Sequence, residues 1–199
     1  LALLLCSIGK LQNNIGKFQE KEIVDGLKKL PGLINDALIQ EPQIKKIANR
    51  FIDKNSALFL GRGTMHAIAM EGALKLKEIS YIHAEAYPAG ELKHGPIALV
   101  DEQMHIVMIA PPGPLFGKSL SNLREVASRG GKITLISNQY GVDTASDYIE
   151  DAIVMPEIDE MFIPLIYVLP LQLLAYHTAV LKGTDVDQPR NLAKSVTVE

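Results

Sequence analysis

Cysteine and tryptophan are nearly absent from this chain of 199 residues, which holds only Cys6 and no tryptophan. A single thiol cannot form an internal disulfide, and without a second cysteine there is no zinc-ribbon pattern. Apolar residues make up 47% of the chain and charged residues 22%, which excludes a mainly disordered protein. A chain of this length can bury a core without disulfides or a structural metal. It can do so as one domain with an appendage or as two small domains.

Charge of one sign and long apolar runs are scarce as well. The 20 basic and 23 acidic residues give a net charge of -3, so we expect no nucleic-acid partner. No apolar run approaches the roughly 20 residues of a membrane span, so we expect no membrane partner. The apolar residues 1–6 lack the basic flank and cleavage site of a signal peptide. A chain that opens inside an apolar run and without Met is expected to be a piece of a longer protein.

Short apolar runs alternate with helical periodicity from residue 56 onward. The run 57–60, ended by the Gly-Arg-Gly turn 61–63, is typical of a strand buried on both faces. Similar runs predict strands at 81–84, 105–110, 133–136 and 152–155. Helical patterns fall at 65–79, 91–100, 119–128 and 162–181. This alternation predicts βαβ units, and hence an α/β fold with a doubly wound, mostly parallel sheet flanked by helices.

The two ends of the chain follow other patterns. Apolar residues within 1–18 keep to one face, as at the end of a helix. A second helical stretch, 20–39, is interrupted at Pro31, which leaves one helix or two pieces open. A third helix is expected to begin near Pro42. The tail 184–199 has no periodic pattern.

The turn at 61–64 is the first candidate site. Open parallel sheets bind ligands at the carboxyl ends of their strands, near helix N-termini, so this turn can cradle a phosphate. Its glycines equally suit a tight strand-to-helix turn with no ligand. Because His66 breaks the G-x-G-x-x-G spacing, the turn is not a dinucleotide fingerprint. Both interpretations stay open at this point.

Three charged residues on the following helix form the second candidate. Glu71, Lys75 and Glu78 are spaced i, i+4 and i+7, which puts them on one face. They can be a solvated stripe of intrahelical pairs. They can also hold a carboxylate beside an ammonium as a proton-transfer pair.

The histidines show no metal-ligand spacing, since none are paired as H-x-x-x-H, and we expect no metal site. His105 and His177 fall in apolar segments and are expected to be structural. His94 lies in a polar segment bracketed by glycines, where a turn can present its ring to a cleft. A functional and a purely structural role are both open for it.

The tail is the last candidate. Arg190 and Lys194 are spaced i, i+4 and can bind anions together if the tail docks into a cleft. Pro189 restrains its backbone, and apolar residues further on can pack. A flexible terminus is the alternative, and composition does not decide between them.

Four segments together resemble the glutamine–fructose-6-phosphate aminotransferase family, in its C-terminal isomerase portion. They are the turn 61–63, the helix segment 71–79, the segment 89–96 and the tail 185–199. The tail is the most specific of them, and the resemblance covers essentially the whole chain. It implies two sugar isomerase (SIS) domains after a glutaminase domain in the complete family protein. It further implies a reaction that converts fructose 6-phosphate and glutamine to glucosamine 6-phosphate and glutamate.

The resemblance also implies a division of this chain. Residues 1–18 match the last helix of a preceding SIS domain, and 19–39 a helical linker. Residues 40–183 match an SIS domain, and 184–199 a catalytic C-terminal tail. The glutaminase domain and the first SIS domain, with its phosphate-gripping Ser/Thr-rich loop, are missing partners. The chain alone is therefore expected to have little or no isomerase activity.

Three catalytic residues follow from the resemblance. Glu78 matches the base that moves a proton between C1 and C2 of the sugar. His94 matches a ring-opening histidine supplied by the neighbouring subunit of a homodimer. Lys194 matches the tail lysine that engages the open-chain carbonyl.

Three substrate-binding residues are implied in the same way, namely Lys75, Arg190 and Ala193. The resemblance implies no metal and no cofactor, and a cytoplasmic location. A non-catalytic SIS module that binds sugar phosphates for regulation is the alternative function. Such a module needs the phosphate loop but not the base, the histidine or the lysine. A nucleotide-binding domain is a third possibility, which the turn at 61–64 argues against.

Overall fold

The structure is a computed structural model and describes residues 2–191. Its helices are α1 (Ala2–Leu11), α2 (Lys17–Leu38), α3 (Glu41–Ala48), α4 (Thr64–Ser80), α5 (Phe116–Ala127), α6 (Gln139–Ala145), α7 (Ile163–Tyr167) and α8 (Leu169–Lys182). Its strands are β1 (Ser56–Gly61), β2 (His83–Pro88), β3 (His105–Ile109), β4 (Lys132–Ser137) and β5 (Asp151–Val154). Short 3-10 helices lie at Asn49–Phe51, Ala89–His94, Pro96–Leu99, Ser146–Tyr148 and Glu160–Phe162.

The five strands form one sheet in the order β2-β1-β3-β4-β5, and every neighbouring pair is parallel. This order is that of a doubly wound α/β sheet, in which the chain reverses direction between β1 and β3. The register pairs Ser56 with His83 and Gly61 with Pro88, so β2 is an edge strand aligned end to end with β1. The predicted fold class is confirmed.

Helices cover both faces of the sheet because side chains along β1 alternate between two cores. Phe59 packs into the core with α3, α4 and α8. Leu58 and Leu60 point to the other face, where they pack with α5 and the 3-10 helix Ala89–His94. Phe59 and Leu60 are both almost completely buried. A strand with apolar residues on both sides is what a parallel sheet between two helix layers requires.

Two predicted elements around the edge strand are wrong. The strand expected at 81–84 is β2 at His83–Pro88, because Tyr81 adopts a left-handed φ of 61° that ends α4 and turns the chain. The helix expected at 91–100 is a pair of 3-10 helices. They are divided by Gly95, whose φ of 147° no α-helix accepts.

The flanking helices also differ from expectation at their ends. The first helix stops at Leu11 rather than near residue 18, and Asn13 turns the chain with a φ of 56°. Helix α2 runs through Pro31 as one piece. The long apolar segment 162–181 is divided at Val168 into α7 and α8, so that each of its two prolines, Pro164 and Pro170, falls in the first turn of a helix.

Helix α6 has no counterpart among the expected elements. The Asn138 side chain accepts a hydrogen bond from the Gly141 N–H at 3.0 Å and so caps its N-terminus. Asparagine is a preferred residue at that position. The sequence therefore contained the signal in Asn138, although the helix itself is too short to show periodicity.

One stretch is apolar enough to be compared with a membrane span. Glu160–Lys182 has the length and composition to cross a bilayer, contrary to the expectation that no run approaches that length. Half of its most apolar window is buried inside the fold. Leu171, Leu174 and Ala175 on α8 pack in the core with α3 and α4. These contacts are those of a core helix.

His105 and His177 take structural positions, as predicted. His177 Nε2 lies 3.0 Å from Glu41 Oε1, which ties α8 to α3. His105 Nε2 lies 2.9 Å from Thr134 Oγ1, and its ring packs against Phe51 at an angle of 58°, with centroids 4.4 Å apart. Burial lowers the pKa of His105 from 6.5 to about 4, since the charged ring would lose its hydration.

The buried imidazole predicts a loss of stability in mild acid. Between pH 6.5 and about 4 the unfolded chain binds a proton at His105 that the folded chain does not. The free energy of unfolding should therefore fall by up to about 3 kcal/mol as the pH decreases through this window. Urea denaturation at several pH values measures it. His105→Gln should flatten the profile and the exposed control His83→Gln should not. An equally steep profile in His105→Gln would refute the assignment.

Alanine substitutions at two glycines should have opposite effects on stability. A Cβ on Gly61 would overlap the backbone carbonyl of Met65, whereas one on Gly32, inside α2, would meet nothing within 4 Å. Gly61→Ala should thus destabilise the fold by about 2 kcal/mol or more. Gly32→Ala should stabilise it by about 0.5–1 kcal/mol. Thermal unfolding of both variants tests the pair, and a harmless Gly61→Ala would show that the turn is not tightly packed.

Candidate active site

The charged stripe on α4 forms the ion pairs that its spacing predicts. Lys75 Nζ lies 2.7 Å from Glu78 Oε2 and 4.0 Å from Glu71 Oε1. The side chains of Lys75 and Glu78 are 34% and 28% exposed, so the pair is half-shielded on the helix surface. The short bond fixes the direction of the Glu78 carboxylate, which a side chain in free solution would not keep.

The charge state of Lys75 limits what it can do. Its hydrogen bond to Glu78 is the main cause that raises its pKa. Burial lowers the pKa by less than this bond raises it, and the negative charges of Glu78 and Glu71 raise it further. At neutral pH Lys75 is therefore an ammonium ion. An ammonium can donate hydrogen bonds and stabilise negative charge, but it has no lone pair for attack on a carbonyl.

The C-terminal segment, which follows α8, first contacts the last turn of α4. The Thr184 hydroxyl lies 2.6 Å from the carbonyl oxygen of Ile79 and 3.0 Å from that of Ala179. The next residue, Asp185, accepts hydrogen bonds from the backbone N–H groups of Asp187 and Gln188, both at 2.9 Å. These two bonds lower the pKa of Asp185. The start of the tail is a formed turn, which favours docking over flexibility for 184–191.

Arg190 closes the contact between the tail and α4. Its backbone N–H donates to the Tyr81 hydroxyl at 2.9 Å, and its guanidinium lies 4.2 Å from the centre of the Tyr81 ring. Tyr81 follows Glu78 by three residues. The structure thus brings Lys75, Glu78 and Arg190 to one corner of the molecule, at the C-terminal end of α4.

This corner is at the opposite end of the sheet from the carboxyl ends of the strands, where open parallel sheets generally bind ligands. Helix α4 connects two parallel strands, so it runs antiparallel to them and ends at their amino ends. Its 17 residues place the corner about 25 Å from the 61–64 turn.

The 61–64 turn itself is closely packed. The cleft beside it has a volume of about 80 Å³, well below the roughly 300 Å³ of ordinary ligand pockets. Arg62 Nη1 donates to Asn122 Oδ1 at 2.9 Å and so ties the turn to α5. This geometry agrees with the tight-turn interpretation.

His94 lies elsewhere in the chain. Its 3-10 helix packs through Ala89 and Leu92 into the core on the face of the sheet opposite α4. The ring is exposed, and Nε2 lies 3.9 Å from Glu91 Oε2. Within one chain the structure does not bring His94 to Glu78.

Lys194 and Ala193, the other two predicted site residues, lie outside the described residues. Tyr81 and Thr184 hold the tail in place, yet sequence reasoning missed both. Asp185 followed by backbone donors is a recognisable turn signal and could have pointed to an ordered tail start. Nothing in the sequence marks Tyr81 as a contact of Arg190, which is 109 positions away. Between residues 2 and 191 no group of three His, Cys, Asp or Glu side chains could hold a metal ion.

Comparison with known proteins gives closely related sequences. The chain is 55% identical over 199 residues to a protein of Bradyrhizobium diazoefficiens named glutamine–fructose-6-phosphate aminotransferase [isomerizing], and 50% identical to its namesake from Zymomonas mobilis. Each alignment covers 100% of this chain and 33% of the relative. The chain therefore spans about a third of the length of these curated relatives.

A solved structure of similar shape is the C-terminal domain of glucosamine-fructose-6-phosphate aminotransferase from Francisella tularensis. It matches with a TM-score of 0.89 and 46% identity, over 94% of this chain and 52% of that one. The family model described as SIS domain matches residues 50–182, from the 3-10 helix Asn49–Phe51 to the end of α8. Since this match covers well over half of the sequence and includes the whole sheet, the chain belongs to the SIS domain family.

Proposed function

We propose that this chain is the C-terminal isomerase part of an enzyme that converts fructose 6-phosphate and glutamine to glucosamine 6-phosphate and glutamate. The observation that carries the proposal is the Lys75–Glu78 pair, 2.7 Å long, beside the docked start of the tail. Identity of 50–55% along the whole chain with proteins named for this reaction supports it. The compartment we propose for the enzyme is the cytoplasm.

Glu78 is the base of the proposed isomerisation. After the sugar ring opens and ammonia condenses with the C2 carbonyl to an imine, with loss of water, a proton must leave C1 and arrive at C2. A carboxylate held in one orientation can accept the proton at C1 and return it to C2, which contributes about 10²–10⁴-fold to the rate. Such proton transfer and imine chemistry use side chains alone, so we propose that neither metal nor cofactor takes part.

The neighbouring cations have different roles in this proposal. Lys75 stays charged, holds the Glu78 carboxylate in one direction, and faces the developing negative charge on the substrate. Lys194 is proposed to engage the open-chain carbonyl, a role that the charged Lys75 cannot fill. Arg190 and Ala193 are proposed to contact the substrate from the tail.

His94 is proposed to open the sugar ring in the site of a second subunit. Its position on the face of the sheet opposite α4 supports this, since it cannot serve the Glu78 of its own chain from there. An exposed imidazole suits the role because it accepts and donates protons near neutral pH. The proposed catalytic unit is therefore a homodimer.

The remaining parts of the enzyme are proposed to be a glutaminase domain and a first SIS domain that grips the phosphate. Binding energy from a remote phosphate positions the reacting carbons, so a chain without that grip loses most of its catalysis. The 199 residues alone are proposed to have little or no isomerase activity.

Replacing the base tests the proposal most simply. In the complete enzyme, Glu78→Gln should lower the rate of glucosamine 6-phosphate formation by about 10²–10⁴-fold, because an amide cannot accept the C1 proton. Glutamine hydrolysis, measured as glutamate release, should be preserved. Glu71→Gln is the matched control, since Glu71 is 4.0 Å from Lys75 and is assigned no proton transfer. Near-normal synthesis by Glu78→Gln would eliminate Glu78 as the base.

Mixed dimers test the shared site. His94→Ala and Lys194→Ala enzymes should each be inactive alone, because each lacks one group in every site. After subunit exchange, a two-fold dimer of the two variants has one intact site, so the mixture should regain about a quarter of the normal activity. Continued inactivity of a mixture whose hybrid dimers are verified by native mass spectrometry would contradict a site built from two subunits.

A further inference from the structure

Tyr81 ends helix α4 in a conformation that suits glycine. Its φ and ψ of 61° and 17° are left-handed, which is unfavourable for a residue with a Cβ. Helix α8 ends in almost the same geometry, with φ of 70° and ψ of 24°, but at Gly183. A left-handed tyrosine persists only where its side chain makes contacts that offset the strain.

The Tyr81 side chain makes two such contacts, both to Arg190. The hydroxyl accepts the Arg190 N–H at 2.9 Å, and the ring lies 4.2 Å below the guanidinium. A glycine at this helix end could make neither contact. Fixing the Arg190 backbone also fixes the direction in which the chain continues.

A second contact holds the C-terminal segment to α4 at Ile79, two residues before Tyr81. The Thr184 hydroxyl bonds to the carbonyl oxygen of Ile79 at 2.6 Å. The tail therefore leaves α8, touches the last turn of α4 at Ile79, turns at Asp185 and returns to α4 at Tyr81. Two anchor points restrain a segment far better than one, because they limit its rotation as well as its distance.

We propose that Tyr81 is a positioning residue that holds the start of the C-terminal tail beside Glu78. The two contacts of its side chain with Arg190 are called the latch. Lys194 is four residues beyond Arg190, so the chain can carry it at most about 14 Å from that point. Arg190 is held at Tyr81, three residues after Glu78 at the end of α4, so the tail starts next to the proposed catalytic carboxylate. The inference rests on the proposed function for its catalytic consequence, whereas the latch itself rests on the contacts of Tyr81. It gives Arg190 a role in holding the tail in addition to any contact with substrate.

The latch can be tested without any activity measurement. Amide hydrogen exchange of Arg190, followed by NMR in the 199-residue chain, reports its bond to Tyr81. Tyr81→Phe removes the acceptor oxygen and keeps the ring, so exchange at Arg190 should become about tenfold faster. Tyr148→Phe is the matched control, because the guanidinium of Arg124 lies over the Tyr148 ring, 5.1 Å from its centre, and this pair is away from the tail. Unchanged exchange in Tyr81→Phe would overturn the latch.

The catalytic consequence is tested in the complete enzyme with Tyr81→Gly. Glycine relieves the left-handed strain, so the melting temperature should stay the same or rise. The kcat for glucosamine 6-phosphate formation should nevertheless fall by at least about tenfold, with a smaller change in KM for fructose 6-phosphate, since Arg190 and the tail that follows it are no longer held beside Glu78. Normal kcat in Tyr81→Gly would overturn the positioning role. If the proposed function were wrong, Glu78→Gln would form glucosamine 6-phosphate at the normal rate. The faster exchange of Arg190 in Tyr81→Phe would still be observed.

Discussion

The docking of the C-terminal segment on the last turn of α4 is the contact on which the rest of the site depends. Glu78 and Lys75 sit on a helix that packs against the sheet, so their positions follow from the core. The tail has no such support of its own. Bonds from Thr184 to Ile79 and from Arg190 to Tyr81 join it to the helix that carries Glu78. A helix packed in the core and the start of the C-terminal segment are thereby held together at one corner of the molecule.

The parallel sheet decides where this site can be. Because α4 must return between β1 and β2, its two ends lie at opposite ends of the sheet. The glycine turn at the carboxyl end is filled by backbone and by the Arg62–Asn122 bond, while the charged pair is at the amino end. The same sheet separates His94 from Glu78, since the two lie on helices that cover different faces. A site that needs both must take one of them from another subunit.

Much of this arrangement is predictable from local patterns in the sequence. Apolar runs located the strands that are buried on both faces, and the spacing of Glu71, Lys75 and Glu78 predicted the pair at 2.7 Å. The edge strand was misplaced because Tyr81 carries none of the usual signs of a helix end, which are glycine or asparagine. Its contact with Arg190 spans 109 positions and depends on how α8 and α4 pack. Such contacts depend on tertiary structure, and no periodicity encodes them.

We propose that the catalytic carboxylate of Glu78 and the tail meet at the C-terminal end of α4. A crystal structure of the complete enzyme with bound glucosamine 6-phosphate tests it most directly. We expect C1 and C2 of the sugar within about 3.5 Å of the Glu78 carboxylate, with His94 of the partner subunit reaching the ring oxygen. A sugar bound instead at the 61–64 turn, with Glu78 facing solvent, would contradict it.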